Sequence, residues 1–165
     1  MLIRRATSDD AERIAALHAD SWRRFYRGAY SDAFLDGDVV ADRHAVWASR
    51  LAVPTETVVA ERGTDLLGFV HVVLDDDPRW GSLVDNLHVM HDVRRTGIGT
   101  RLLGEAATAV AERAASPAMY LWVLEQNNDA QRFYVRCGAT RSELAGVDAP
   151  GGDPTRLDGT RTNSA

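Results

Sequence analysis

The spacing of apolar residues along the chain predicts an alternation of strands and amphipathic helices. Apolar side chains recur every three or four positions from Ile14 to Phe25, which is typical of a helix with one buried face. Runs rich in Val, Leu and Phe between turn residues, as in residues 66–74, are typical of strands. The predicted elements are a strand at 2–6, a helix ending near 27–28, a helix at 42–52, strands at 57–61, 66–74 and 83–90, a helix at 97–115, a strand at 119–124 and a helix from 127 to 137. This order predicts an α/β domain with a mixed sheet.

Turn residues and strand alternation refine the predicted sheet. Residues 62–65, Arg-Gly-Thr-Asp, have the composition of a hairpin turn, so the flanking strands should be antiparallel. The aspartates and proline at 75–78 predict a second turn. In the strand that follows, His88 is predicted to point away from one shared face. The residues of that face are Leu83, Asp85, Leu87 and Val89.

Two helices carry further local predictions. In the helix at 42–52, the predicted apolar side consists of Ala45, Val46 and Leu51. Asn127 is expected to cap the last helix, and Gly138 is expected to end it.

The length of the chain predicts one domain. Its 165 residues suffice for a single buried core, which we expect to span about residues 1–144. Residues 145–165 are rich in Gly, Pro and Asp, and we expect them to form a weakly ordered tail or an edge hairpin.

Composition and charge narrow the classes of function. The net charge of −5 argues against a nucleic-acid partner, because phosphate neutralisation needs a cationic surface. All 19 basic residues are Arg, so chemistry that depends on Lys is excluded. The single cysteine, Cys137, is given no chemical role, and the histidines lack metal-ligand spacing, so we predict no metal. No signal peptide or membrane span is recognisable, which predicts a cytoplasmic protein.

One strand-to-helix turn has the composition of a phosphate-binding site. The N-terminus of a helix presents unpaired N–H groups and partial positive charge, which suit a diphosphate. Gly97 and Gly99 would let the backbone approach the phosphates, and Arg94 and Arg95 add positive charge. The alternative is an ordinary tight turn with solvated arginines. A dinucleotide fingerprint fits less well, because its third glycine is replaced by Leu102.

Two motifs in order resemble the GNAT (GCN5-related N-acetyltransferase) family. The first is Arg94-x-x-Gly97-x-Gly99 after a strand, which resembles the acyl-CoA diphosphate loop of that family. The second resembles the strand-helix segment that completes its coenzyme site; it consists of Leu121, Val123, Asn127, Ala130, Phe133, Tyr134, Gly138 and Ala139. The resemblance covers about residues 83–144. It implies a mixed, mostly antiparallel central sheet flanked by helices and the transfer of an acetyl group from acetyl-CoA to a primary amine in a ternary complex.

The resemblance also implies a set of coenzyme contacts. These are Leu87, His88, Val89, Arg94, Arg95, Thr96, Gly97, Ile98, Gly99, Thr100, Asn127 and Tyr134. Tyr134 stands where the family has its general acid, and the main chain at Val89 would bind the pantetheine arm and the thioester oxygen. The two roles expected for Asn127, a helix cap and a coenzyme contact, are compatible.

The sequence offers several candidates for the group that removes the proton of the amine. Many relatives have Glu at the position of Leu83, so the chain departs from the family there. Asp85 is the nearest replacement, and a water relay, His71 or Glu125 are the alternatives. The departure also leaves open a second function, a non-catalytic acyl-CoA-binding or regulatory module.

The early helices of the family roof the acceptor groove, which suggests Trp22, Tyr26 and Tyr30 as substrate-binding residues. Three acidic residues would favour an amine there: Asp32, Asp36 and Asp38. The alternative is that the aromatic residues pack in the core and the acids face water. The expected acceptor is a small-molecule or peptide amine, with no membrane partner, and a homodimer is left open. Nucleic-acid binding by Arg94, Arg95 and Arg101 is a third hypothesis, which the acidic total disfavours.

Overall fold

A computed structural model describes residues 1–146 and 158–164, with side-chain surroundings for residues 1–141. The helices are α1 Ala11–Phe25, α2 Asp32–Asp36, α3 Val39–Arg50, α4 Ile98–Arg113 and α5 Asn128–Arg136. The strands are β1 Leu2–Arg5, β2 Glu56–Arg62, β3 Asp65–Asp77, β4 Gly81–Val89, β5 Met119–Leu124, β6 Ala139–Gly146 and β7 Asp158–Ser164. None of these helices is long and apolar enough to cross a membrane.

The described strands form one sheet in the order β1-β2-β3-β4-β5-β7-β6. Neighbouring strands are antiparallel except β4 and β5, which are parallel. Helices α4 and α5 contribute to a core on one face of the sheet, and helices α1 and α3 to a core on the other. The predicted mixed, mostly antiparallel sheet flanked by helices is therefore confirmed.

The C-terminal part of the chain contributes an interior strand. The predicted tail at 145–165 falls partly on residues 147–157 and 165, which lie outside the described residues. Residues 158–164 form β7, which pairs with β5 on one side and with β6 on the other. The backbone of β7 thus joins β6 to the rest of the sheet.

Three local predictions differ from the structure. Residues 75–77 continue β3 instead of forming a turn, and Asp75 has a positive φ of 51° within an irregular section of the β3–β4 pairing. Helix α2 was not predicted, because its five residues are too few to display a helical period. In α3, Ala45 is exposed, and the buried side chain is Trp47, which is 0% exposed.

Candidate active site

A cavity lies where two neighbouring strands of the sheet separate. Strands β4 and β5 pair only at Ser82–Met119 and Leu83–Tyr120 in the part of the chain that the structure describes. Beyond these pairs the two strands diverge, and a cavity of about 270 Å³ opens between them. Residues 84–89 of β4 therefore have no strand partner on the β5 side, so their main-chain groups on that edge can bind a ligand.

The cavity brings together many of the residues predicted for the site. The predicted residues that line it are Trp22, Tyr26, Tyr30, Asp85, Leu87, His88, Val89, Arg94, Asn127 and Tyr134. Residues 95–100 lie outside its lining, at the start of α4. The alternative bases His71 and Glu125 are also outside the lining, as is Leu83.

The start of α4 has the geometry of an anion site. Gly97 precedes the helix with a φ of 87°, a conformation that favours glycine, and open space lies where its side chain would be. The first helical hydrogen bond runs from the N–H of Arg101 to the carbonyl of Gly97 at 3.1 Å, which leaves the amides of residues 98–100 at the open end of the helix. A Cβ on Gly99 would contact the Phe133 ring at 3.4 Å and Val89 at 3.7 Å, so this turn packs close to the strand split.

Two arginines precede this turn. The Arg94 guanidinium lies 4.5 Å from the centre of the Phe25 ring and lines the cavity. Arg95 has a φ of 64°, which is uncommon for a residue with a side chain and is often found at functional sites. The loop thus brings positive charge and exposed backbone to one end of the cavity.

Tyr134 projects from α5 into the cavity wall and is 8% exposed. The helix starts as predicted, because the Asn127 side chain accepts a hydrogen bond from the N–H of Ala130 at 3.2 Å. Burial raises the pKa of the Tyr134 phenol, and the nearby Cys137 adds to this shift. The phenol therefore keeps its proton at neutral pH and can donate it.

An aromatic group forms the wall on the side of α1. The ring centres of Trp22 and Tyr30 are 4.8 Å apart, those of Tyr26 and Tyr30 are 5.0 Å apart, and Trp22 and Tyr26 stack at 5.5 Å. Burial raises the pKa of Tyr30 to about 12 and raises the pKa of Tyr26 further. These aromatic residues both pack together and face the cavity.

The acids predicted to accompany the aromatic group lie elsewhere. Asp32 and Asp36 are largely exposed and form ion pairs with Arg27. Neither of them lines the cavity, and Asp38 does not line it either. For these acids, the alternative that they face water fits the structure.

Asp85 lines the cavity, but it does not follow the simple side-chain alternation that was predicted for this strand. On β3, His71 pairs with Asn86 and Val72 with Val84, so Asp85 is an extra residue that forms a bulge in β4. Because the bulge adds one residue, the side-chain alternation before it is reversed relative to the alternation after it. Leu83 therefore points to the face opposite Leu87 and Val89, and the prediction that it shares their face is wrong. The Asp85 carboxylate accepts a hydrogen bond from the Asn86 side chain at 2.7 Å.

The carboxylate of Asp85 is also part of an ion pair. Its Oδ2 lies 2.7 Å from Nη1 of Arg50 on α3. Among the described side chains that line the cavity, it is the one carboxylate. The prediction that His88 points away from Leu87 and Val89 is confirmed, since its ring lies against His18 of α1 at 4.5 Å.

A buried histidine cluster that the sequence did not indicate lies behind the aromatic wall. Trp47 Nε1–H donates a hydrogen bond to His18 Nδ1 at 3.0 Å, so the proton of neutral His18 is on Nε2. His88 Nδ1 and Ser21 Oγ lie 2.9 Å apart, and either can be the donor. His71 Nδ1 makes a similar contact with Thr57 at 2.8 Å.

Burial is the largest cause that lowers the pKa values of these histidines. The pKa of His71 falls to about 4 and that of His88 to about 3, with positive charge from nearby arginines as a further cause. The pKa of His18 is also far below its usual value. All three side chains are therefore neutral at pH 7.

Two arginines of α3 also line the cavity and were missed. Arg43 and Arg50 lie seven residues apart, with Trp47 between them, and this spacing places all three on one side of a helix. The helical spacing of these three residues was already present in the sequence. The prediction instead assigned the buried side to Ala45, Val46 and Leu51, of which Leu51, just beyond α3, is buried.

Comparisons with known proteins agree with this architecture. The model of the Acetyltransferase (GNAT) family matches residues 11–139. An uncharacterised N-acetyltransferase of Archaeoglobus fulgidus is 30% identical over 154 residues, which are 88% of this chain and 97% of the relative. The chain belongs to the GNAT family of acetyltransferases, and it is an acyltransferase.

Solved structures show the same fold. PaiA N-acetyltransferase from Thermoplasma acidophilum, crystallised with coenzyme A, has a TM-score of 0.76 at 18% identity and covers 99% of this chain and 97% of its own. YncA from Salmonella typhimurium, with its cofactor acetyl-CoA, has a TM-score of 0.69 at 21% identity, covering 99% of this chain and 92% of its own. The predicted family and its fold are thereby confirmed.

The buried histidines predict a loss of stability in mild acid. The unfolded chain binds protons at these side chains below about pH 6.5, whereas the folded protein does not until near pH 4 for His71, so stability falls as pH decreases through this window. The loss for each histidine is at most about 1.4 kcal/mol per pH unit. Denaturant unfolding at pH 7 and pH 5 measures it.

Two variants test whether His71 causes this loss of stability between pH 7 and pH 5. His71→Gln should reduce the difference in unfolding free energy between pH 7 and pH 5. His44→Gln on α3 should leave that difference unchanged, because His44 is exposed in the folded protein. Equal pH dependence in the wild type and His71→Gln would contradict the assignment.

Proposed function

We propose that this protein transfers the acetyl group of acetyl-CoA to a primary amine by direct attack of the amine in a ternary complex. The observation that carries the proposal is the cavity at the β4–β5 split, which contains an unpaired strand edge and a buried phenol and lies next to the open end of α4. The amine nitrogen attacks the thioester carbonyl, the carbon–sulfur bond breaks, and the products are an N-acetyl amine and coenzyme A. The thiolate takes one proton, and a base takes the proton that the amine loses.

The diphosphate of the coenzyme fits the start of α4. The amides of residues 98–100 point past the end of the helix, and the positive φ of Gly97 brings this backbone within reach of a ligand without steric conflict. Arg94 and Arg95 add charge at the same turn, and we assign Thr96 to this loop as well. The coenzyme A and acetyl-CoA in the PaiA and YncA structures support this assignment.

The pantetheine arm fits the free edge of β4. An extended amide-containing chain can pair with a strand edge much as a peptide strand does. We assign the main chain of Leu87 and Val89 to this role, with His88 between them on the same strand segment and Asn127 on the opposite wall. A main-chain N–H at Val89 would also stabilise the thioester oxygen as it gains negative charge.

The three aromatic side chains of α1 and its following loop form the acceptor end of the cavity. Trp22, Tyr26 and Tyr30 provide a rigid, partly apolar wall against which a small-molecule or peptide amine can pack. Cys137 does not line the cavity, which favours direct attack over a covalent enzyme intermediate on this residue. Since acetyl-CoA is an intracellular metabolite, the proposal includes a cytoplasmic location.

Coenzyme binding and turnover test the proposal together. Calorimetry should detect acetyl-CoA binding with a Kd on the order of 10 µM, within the ordinary range for enzyme substrates. Arg94→Gln should weaken this binding about tenfold, because it removes a charged contact to phosphate. Arg113→Gln, at the far end of α4, is the matched control.

Turnover separates an enzyme from a binding module. With acetyl-CoA and a panel of amines, the wild type should release free thiol that a colorimetric reagent detects. Tight coenzyme binding without release for any amine would favour the non-catalytic module. Absence of any heat of binding would remove the basis of the proposal.

Tyr134 is the proposed general acid. A coenzyme thiol has a pKa of about 8.5, so its thiolate can leave unaided, and protonation by the phenol improves the rate without being essential. Tyr134→Phe should therefore lower kcat about 10- to 100-fold and leave the KM for acetyl-CoA nearly unchanged. Tyr120→Phe on β5, outside the cavity lining, should retain the wild-type kcat. An unaltered kcat in Tyr134→Phe would exclude this role.

Asp85 is the proposed base, acting directly or through one water. Its carboxylate lines the cavity, whereas His71 and Glu125 do not, and burial makes neutral His88 a weak base at pH 7. Asp85→Asn should lower kcat/KM at pH 7 by about 100-fold. The loss should shrink as the pH approaches the pKa of the free amine, near 10, because the deprotonated amine needs no base. Glu125→Gln is the control, and a loss that is constant with pH would indicate that Asp85 acts only through structure.

A further inference from the structure

The acceptor end of the cavity carries positive charge. Arg43 and Arg50 of α3 both line it, and Arg50 is neutralised within the cavity by its ion pair with Asp85. Arg43 pairs with Asp42, which is not part of the lining. The described lining therefore presents the charge of Arg43 at this end, without a second carboxylate that would attract a polycation.

Arg43 is held in a fixed position with donors to spare. Its guanidinium lies 4.2 Å from the centre of the Trp22 ring, and its side chain is 14% exposed. A guanidinium has five N–H donors, and the Asp42 carboxylate engages only the Nε and Nη2 groups. Such a stacked arginine is preorganised to bind a planar oxyanion with little further loss of side-chain entropy.

The field of Arg43 reaches the neighbouring cavity groups. Its positive charge adds to the effect of burial in lowering the pKa values of His18 and His88, and it opposes the larger effect of burial that raises the pKa of Tyr30. Three cavity-lining side chains from separate elements thus lie near this guanidinium. A second cationic group placed among them would be repelled, and an anionic group would be attracted.

A further donor in the lining lacks a partner. The proton of His18 is on Nε2, because Nδ1 accepts from Trp47, and Nε2 makes no hydrogen bond to any described residue. His18 is 1% exposed, and a buried N–H without an acceptor is unfavourable. An oxygen-bearing ligand in this cavity would supply an acceptor that the described residues do not.

We propose that the acetyl acceptor is a small amine that also carries a carboxylate, and that Arg43 binds this carboxylate. The inference rests on the proposed acetyl transfer and specifies its substrate class. A cavity of about 270 Å³, shared with the end of the pantetheine arm, limits the acceptor to a compact molecule. Amino acids fit this description, whereas diamines and other polycations do not.

Matched acceptors test the charge requirement. The probes are L-amino acids and ω-amino acids, each paired with its carboxamide, together with putrescine as a dication. Thiol release from acetyl-CoA gives kcat/KM for each probe. For the best acceptor, the acid should exceed its carboxamide by about tenfold or more, since a charge-assisted contact is lost. The ionisation of the amine does not explain this preference, because the less basic amine of the carboxamide is more fully deprotonated at neutral pH.

Variants at Arg43 identify the residue responsible. Arg43→Gln should reduce the acid-to-amide ratio to near one, and Arg43→Lys should retain part of it. Arg62→Gln, which removes one positive charge at the exposed β2–β3 turn, should leave the ratio unchanged. A general structural defect would lower both rates together and would not alter their ratio.

The outcomes separate the two proposals. Equal or better turnover of carboxamides or putrescine by the wild type would overturn the carboxylate inference and leave acetyl transfer intact, as would an unchanged ratio in Arg43→Gln. If other amines of the panel release thiol and none of these probes does, the carboxylate inference is overturned and acetyl transfer stands; if no amine releases thiol, the proposed transfer fails. Calorimetry of the amino acids and their amides on protein saturated with coenzyme A would then still test the contact between Arg43 and the carboxylate. Equal binding of acid and amide would overturn the carboxylate inference.

Discussion

The site depends on the weak connection between two halves of the sheet. Strands β1 to β4 form one antiparallel half, and β5, β7 and β6 form the other. The halves meet through two residue pairs of the parallel β4–β5 contact, and the strands diverge beyond them. Without this divergence, β4 would have no free main-chain edge, and the walls from α1, α3 and α5 would have no cavity to enclose. The hydrogen bonds that β4 and β5 would form beyond these pairs are therefore absent, and the free main-chain groups of β4 form part of the binding site.

The cavity gains its polarity from a small number of charged groups. Its histidines are neutral at pH 7 and its tyrosines keep their protons, because burial disfavours the charged form of each. The remaining charges are Arg94 at the end proposed for the coenzyme and Arg43, Arg50 and Asp85 at the other end. A largely neutral, aromatic interior of this kind strengthens the effect of each remaining charge.

Local signals in the sequence predicted the elements better than the arrangement of side chains within them. Helical spacing identified α1 and α4, and Asn127 caps α5 as expected, because caps and amphipathic periods are properties of short segments. The bulge at Asp85 depends on the register with β3, which no pattern within β4 encodes. The spacing of Arg43, Trp47 and Arg50 was present in the sequence, but the prediction assigned the apolar side of this helix to other residues. The motifs pointed to the loop that we propose for the coenzyme, whereas Arg43 and His18 required tertiary packing to be recognised.

The position of β7 has a consequence for how the protein is assembled. Strand β6 precedes β7 in the chain and, among the described strands, pairs with β7 alone, so a partly made chain ending after β6 would lack the segment that attaches this strand. The β5–β7 contact also joins segments far apart in sequence, and such closures are slow because chain entropy is lost before pairing compensates. During synthesis on the ribosome, β6 and the open side of β5 would therefore remain exposed as unpaired edges until β7 emerges, an interval in which association with other nascent chains must be avoided.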